Sequence, residues 1–106
     1  MIKTDYDPEF DTLYIFKKGE RVKFSIELFG SFVMDISFDN KVVGLEILNA
    51  SKVLNVSKKE LRSVKAAKLA TLIKGNLFGA IYGIKSEKIE IESRIVVPST
   101  RMAVLK

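Results

Sequence analysis

"RVKFSIELFGSFVMDISFDNKVVGLEIL", residues 21–48, decides the fold. Val22, Phe24, Ile26 and Leu28 alternate with Lys23, Ser25 and Glu27, the two-residue period of a strand with one buried face. Gly30 separates that run from a second one, Phe32, Met34, Ile36 and Phe38, and Asp39-Asn40-Lys41 then turns the chain into Val43, Leu45 and Ile47. Strands joined by such short turns form an antiparallel meander. Upstream, "LYIF" at 13–16 continues the strand pattern but is apolar on both faces, with Leu13 and Ile15 pointing one way and Tyr14 and Phe16 the other.

Downstream the pattern changes. Ser57-Lys58-Lys59-Glu60 is a capping box, in which Ser57 accepts from the Glu60 N–H while the Glu60 side chain reaches back, and Val56 and Leu61 form the flanking hydrophobic staple. A helix continued to Ile73 would put Lys65 and Lys68 on the same face as Leu61, Leu69 and Leu72, so the helix is predicted over about 57–65. Gly75-Asn76 reads as a two-residue hairpin turn between "KLATLIK" and "LFGAIYGIK", and Ser86-Glu87 turns into "KIEIESRIVV", which Pro98 stops. Gly79 and Gly83 on a strand permit close backbone packing or a bulge. The expectation is one domain, 1–106, with a meander in 1–54 and a helix plus C-terminal β-hairpins in 55–106, hence an α+β, strand-rich fold.

Composition removes many activities. The 106 residues contain no Cys and no His, which excludes thiol catalysis, disulfides, structural zinc sites and every histidine-based triad. Any enzyme would have to work with carboxylates, Lys, Tyr or Ser. Gln and Trp are absent too, while Lys and Glu abound, a bias resembling hyperthermophile proteins. The N-terminus lacks an apolar signal core, and the longest uncharged run, residues 75–84, is half a membrane span, so a soluble cytoplasmic protein is expected. Charge is uneven: residues 1–53 carry seven Lys/Arg against nine Asp/Glu, whereas residues 54–106 carry eleven against four.

"YDPEFDTLYI" at 6–15 and "DNKVVGLEILNASKVL" at 39–54, taken together, resemble the motifs of the family known as domain of unknown function 2283. The resemblance covers about residues 2–54, with Tyr6, Asp7, Asp11, Leu13, Tyr14, Ile15, Gly44, Glu46, Ile47, Leu48, Ala50 and Ser51 on the pattern. Asn40-Lys41 departs from it, standing where the family commonly places an acidic residue and Gly. The resemblance implies a strand-rich fold with a helix after the Asn49-Ala50-Ser51 segment, and it implies no activity.

Three constellations carry the functional expectations. Asp5, Asp7, Glu9 and Asp11 occupy offsets 1, 3, 5 and 7 of a calcium loop, but Phe10 and Phe16 replace its Gly and its Glu, so the stretch reads as a turn capped by Asp7 with Pro8 behind it. Asp35 and Glu46 interrupt apolar strands. With Asp11 they could converge as a hard-metal or acid/base site, or lie separately on wet strand faces paired with Lys. Segment 58–74 holds six Lys/Arg against Glu60 alone, with Lys58, Arg62 and Lys65 as possible phosphate contacts.

The reading that follows is a non-enzymatic binding or assembly module acting as a homo-oligomer, with the family-motif positions Tyr6, Asp7, Asp11, Tyr14, Gly44 and Glu46 as its candidate site. The two-faced strands "LYIF" and "LFGAIYGI" motivate the oligomer. The alternatives are weak, non-specific nucleic-acid binding through 58–74 and a carboxylate–metal hydrolase. No catalytic residue, cofactor, metal ligand or membrane partner is assigned.

Overall fold

The structure, a computed structural model, describes residues 1–99. Its elements follow in the order β1 (Ile2–Asp7), β2 (Thr12–Lys17), β3 (Val22–Leu28), β4 (Phe32–Ser37), β5 (Val42–Ile47), α1 (Ala50–Val53), α2 (Lys58–Arg62), β6 (Ala66–Lys74), β7 (Leu77–Lys85) and β8 (Glu90–Pro98). All strand pairs are antiparallel, in a five-stranded sheet ordered β1-β2-β5-β4-β3 and a three-stranded sheet ordered β6-β7-β8. The fold is α+β and mostly β, as the alternating pattern implies. The meander β3-β4-β5 closes back on β2, which takes the place between β1 and β5.

The sheets pack face to face over one core. Leu13, Ile15, Ile26, Leu28, Met34, Ile36, Leu45 and Ile47 meet Leu69, Phe78, Ala80, Tyr82, Ile84, Ile95 and Val97. Phe32 and Tyr82 bridge the layers with ring centroids 6.3 Å apart. Opposite β4 the strand β5 carries one extra residue, Val43, so that Val42 joins the inner face and donates its N–H to Thr71 Oγ1 at 2.9 Å, a hydrogen bond between the sheets.

The left-handed region is used where the chain reverses. Gly75 (φ 58°) makes the two-residue turn between β6 and β7, at the predicted place. Asn40 (φ 61°) serves the turn before β5, a role that Asn tolerates better than most residues.

Two short helices stand among the described residues, and the one read from the sequence over about 57–65 is shorter than expected. Ser57 caps α2 by accepting from the Glu60 N–H at 3.2 Å, as the capping box requires. The reciprocal bond is not made, since the Glu60 carboxylate accepts instead from the Ser86 hydroxyl and ties α2 to the β7–β8 turn. The helix stops at Arg62 and not near Lys65, because the Lys65 N–H is donated to Lys85 O at 2.8 Å and the backbone has already entered the sheet. α1 is a single turn opened by Asn49 in the left-handed conformation (φ 51°), and it begins within the Asn49-Ala50-Ser51 segment, after which the family resemblance implies a helix. No helix among the described residues is long and apolar enough to cross a membrane.

Candidate functional site

The family-motif residues divide into two networks on opposite sides of β2. The first begins at the β1–β2 turn, where Asp7 Oδ1 accepts the N–H groups of Glu9 (2.9 Å) and Phe10 (3.3 Å). That turn delivers Asp11 in the left-handed conformation (φ 55°) and only 8 % exposed. Asp11 Oδ1 accepts the Tyr6 hydroxyl at 2.7 Å and Oδ2 accepts the Ser51 hydroxyl at 2.6 Å. The Ser51 N–H is shared between both oxygens at 3.1 and 3.3 Å, and the Asp11 carbonyl accepts the Ala50 N–H at 2.8 Å. One residue therefore satisfies the opening N–H groups of α1 and clamps that helix to the β1–β2 hairpin.

Electrostatics follow from these bonds. Burial works to raise the Asp11 pKa, but the hydrogen bonds from Ser51 and Tyr6 and the nearby Lys58 charge outweigh it and hold the carboxyl below its ordinary range. The Tyr6 phenol is pushed up to about 12 by burial and then by its bond to Asp11. An ionised carboxylate already accepting three donors is a poor base and a poor metal ligand, and the network acts as a bracket.

The second network lies on the outer face of the five-stranded sheet. Tyr14 is opposite Glu46, while Gly44 lies between Phe16 on one side and Asp35 on the other. The Tyr14 hydroxyl crosses diagonally over Gly44 to Asp35 Oδ2 at 2.5 Å, and Ser25 Oγ donates to Asp35 Oδ1 at 2.6 Å. A Cβ on residue 44 would stand 2.4 Å from Asp35 Oδ2 and 2.6 Å from the Tyr14 hydroxyl, so glycine makes the crossing possible. The Tyr14 ring stacks on Phe16 with centroids 4.8 Å apart and planes 17° from parallel. Partial burial, then the hydrogen bond and the charges of Asp35 and Glu46, hold the Tyr14 phenol far above its usual range. Tyr14 is thus a fixed neutral donor. The result is an ordered aromatic plate with carboxylates beside it, on a surface facing away from the core.

The three carboxylates do not converge: Asp35 and Glu46 share the outer face, whereas Asp11 is buried in its bracket. Among the described residues no group of three or more Asp or Glu is placed to hold a metal ion. The basic segment is likewise dispersed. Lys58 Nζ donates to Pro8 O at 3.2 Å, and the Arg62 charge acts on Tyr6, which puts both beside the bracket. Lys65 lies 4.0 Å from Glu87, and Lys68 is 2.5 Å from Glu92.

Ser25 is the site residue that sequence reasoning passed over; its position opposite Asp35 depends on the β3–β4 register, which the alternation of both strands does encode. Phe10, weighed in the sequence only as the residue that replaces a calcium-loop glycine, and Phe29, given no role there, are 71 % and 68 % exposed on the β1–β2 and β3–β4 turns. Phe29 adopts a left-handed φ of 56°, which no local pattern signals for an aromatic residue.

Comparison with known proteins places the chain. The model of the family described as "Protein of unknown function (DUF2283)" matches residues 3–51, the span from β1 into α1 that contains both networks except for their basic neighbours. An uncharacterised protein of Methanocaldococcus jannaschii, MJ0789, is 33 % identical over 105 residues, covering 99 % of this chain and 81 % of its own length. A protein of Methanosarcina mazei named "Putative hypoxanthine phosphoribosyltransferase" is 36 % identical over 63 residues, covering 59 % of this chain and 50 % of its own length. No solved structure matches. With the motif residues in place on β1, β2 and β5 and a relative similar over nearly the whole chain, the protein belongs to the DUF2283 family.

Proposed function

We propose that this protein is a non-enzymatic binding and assembly module of the cytoplasm that works as a homo-oligomer, with the outer face of the five-stranded sheet as its binding surface. The observation that carries the reading is the division of apolar side chains between core and exterior. Tyr14, Phe16 and Val33 on one sheet, and Leu72, Ile81 and Val96 on the other, stand on outward positions and do not pack against the core. A protein of this size needs one covered face per sheet, and apolar outer faces on both signal partners. The Tyr14–Asp35–Ser25 hydrogen bonds fix the orientation of the aromatic plate before any partner arrives, which lowers the entropy lost on binding.

Nothing in either network supplies a nucleophile and base, and the Tyr14 and Tyr6 protons are held tightly. A hydrolase using Asp11, Asp35 and Glu46 is disfavoured by their separation. Duplex or single-strand binding through Lys58, Arg62 and Lys65 is disfavoured by the dispersal of these groups and by the pairing of Lys65 with Glu87.

A thermal-shift series separates the readings. A homo-oligomer gains melting temperature with protein concentration. It is expected to gain none from magnesium, calcium or manganese, nor from oligonucleotides at physiological salt. Stabilisation by a divalent ion that disappears in Asp35→Asn would overturn this reading in favour of the hydrolase.

A further inference from the structure

The outer face of the three-stranded sheet has a self-complementary pattern. Registered across β6, β7 and β8, its outward residues form the rows Ala66–Lys85–Glu90, Lys68–Gly83–Glu92, Ala70–Ile81–Arg94, Leu72–Gly79–Val96 and Lys74–Leu77–Pro98. Gly79 and Gly83 leave the central strand bare on either side of Ile81. They are required by the close approach of β8: a Cβ on Gly79 would fall 1.8 Å from Ile95 O, and one on Gly83 would fall 2.8 Å from Ile91 O. The face is therefore low along β7 on either side of the central Ile81, with Leu72 and Val96 as apolar shoulders toward one end, the Lys68–Glu92 pair toward the other, and Arg94 beside Ile81 on β8. Lys68 Nζ and Glu92 Oε1 meet across the bare Gly83 at 2.5 Å, each side chain more than half exposed.

We infer that this face is where a second copy of the chain docks, with the two-fold axis running along β7. The inference rests on the homo-oligomer reading and supplies its surface. Rotation about such an axis exchanges β6 for β8 while leaving β7 opposite itself. Leu72 then lies over Val96 of the second copy and Ile81 over its counterpart. Lys68 lies over the Glu92 of the second copy and Glu92 over its Lys68, so the intrachain pair becomes a ring of four alternating charges. The rotation of about 30° usual between packed sheets leaves the rows nearest the axis opposed, within reach of Lys and Glu side chains. Lys85 meets its own counterpart only at the rim, where Glu90 is its strand neighbour.

The outer face of the five-stranded sheet lacks this property. Asp5, Asp35 and Glu46 are spread over its outward positions with Lys3, opposite Phe16 on the edge strand β1, as the cation registered among them, and a two-fold axis along the central strand β5 would set Glu46 over its own counterpart. Self-association through the three-stranded sheet leaves that face open for a different partner.

The test is a charge swap between chains. Lys68→Glu makes both rim positions acidic, and Glu92→Lys makes both basic. Each variant alone is expected to raise the dimer dissociation constant at least about tenfold, because like charges then face each other, and an equimolar mixture of the two is expected to restore the dimer. Circular dichroism confirms folding of each variant, both positions being exposed. Ile81→Asp, which places a charge on the axis, is expected to give a monomer. A wild-type dimer that persists in Lys68→Glu and in Ile81→Asp would overturn the proposed face while leaving the homo-oligomer standing. A mixture that fails to re-associate would overturn the two-fold arrangement. A monomeric wild-type chain would overturn both the face and the reading beneath it.

Discussion

Asp11 shows how much one residue can join. It accepts from β1 through Tyr6 and from α1 through Ser51, and its own carbonyl takes the Ala50 N–H. Asp11→Ala leaves two hydroxyls and an N–H without their acceptor in a buried setting, and is expected to cost about 2–4 kcal/mol in chemical denaturation. Because the folded pKa lies below the ordinary 3.8, the stabilisation is complete above that pH and is lost as pH falls below it; removing Asp11 should flatten that acid limb. Burial, first, raises the phenols of Tyr6, Tyr14 and Tyr82, so the folded protein should show little phenolate absorbance at pH 10, where the unfolded chain ionises. Gly44→Ala drives a methyl between Tyr14 and Asp35 and is expected to bring the Tyr14 ionisation back toward 10.0 while the fold persists, the displaced atoms being side-chain ends. The motif residues were legible one by one, but the bracket was not. Ser51 is forty positions from Asp11, and their meeting depends on left-handed turns at Asp11 and Asn49. Local spacing alone suggested calcium offsets or a cap.

At the level of elements, periodicity carried the strands from β2 onward and the hairpin turn at Gly75-Asn76, since both depend on near neighbours, whereas β1 had no such pattern assigned. The end of α2 depends on something remote, the Lys85 carbonyl that captures the Lys65 N–H, and so the helix stopped three residues before the predicted end. The Glu60 carboxylate likewise found Ser86 in place of its local partner. The reading of Gly79 as a site of close backbone packing corresponds to a physical requirement that can be measured. Gly79→Ala is expected to destabilise the protein by about 3 kcal/mol or more, since the obstruction is a backbone oxygen that cannot rotate away, and β8 should lose hydrogen-exchange protection before β1 to β5 do. Unchanged stability and uniform protection would contradict that account of the β7–β8 pairing.

For the whole molecule, the two-faced strands "LYIF" and "LFGAIYGI" state the problem that the fold solves by halves. One face of each sheet enters the common core, and the other keeps Tyr14 and Phe16 or Ile81 on the outside. The order β1-β2-β5-β4-β3 was beyond the sequence reading because alternation specifies faces and leaves the choice of neighbours to tertiary packing. Charge divides along the same line, with the acidic first half supplying the five-stranded sheet and the basic second half supplying the three-stranded one. The central claim is that the chain functions as a self-associated unit, and sedimentation equilibrium of the wild-type protein at low micromolar concentration tests it most directly. The expected result is a species of twice the 11.9 kDa chain mass that dissociates on dilution; a species of the chain mass alone, unchanged as concentration rises, would contradict it.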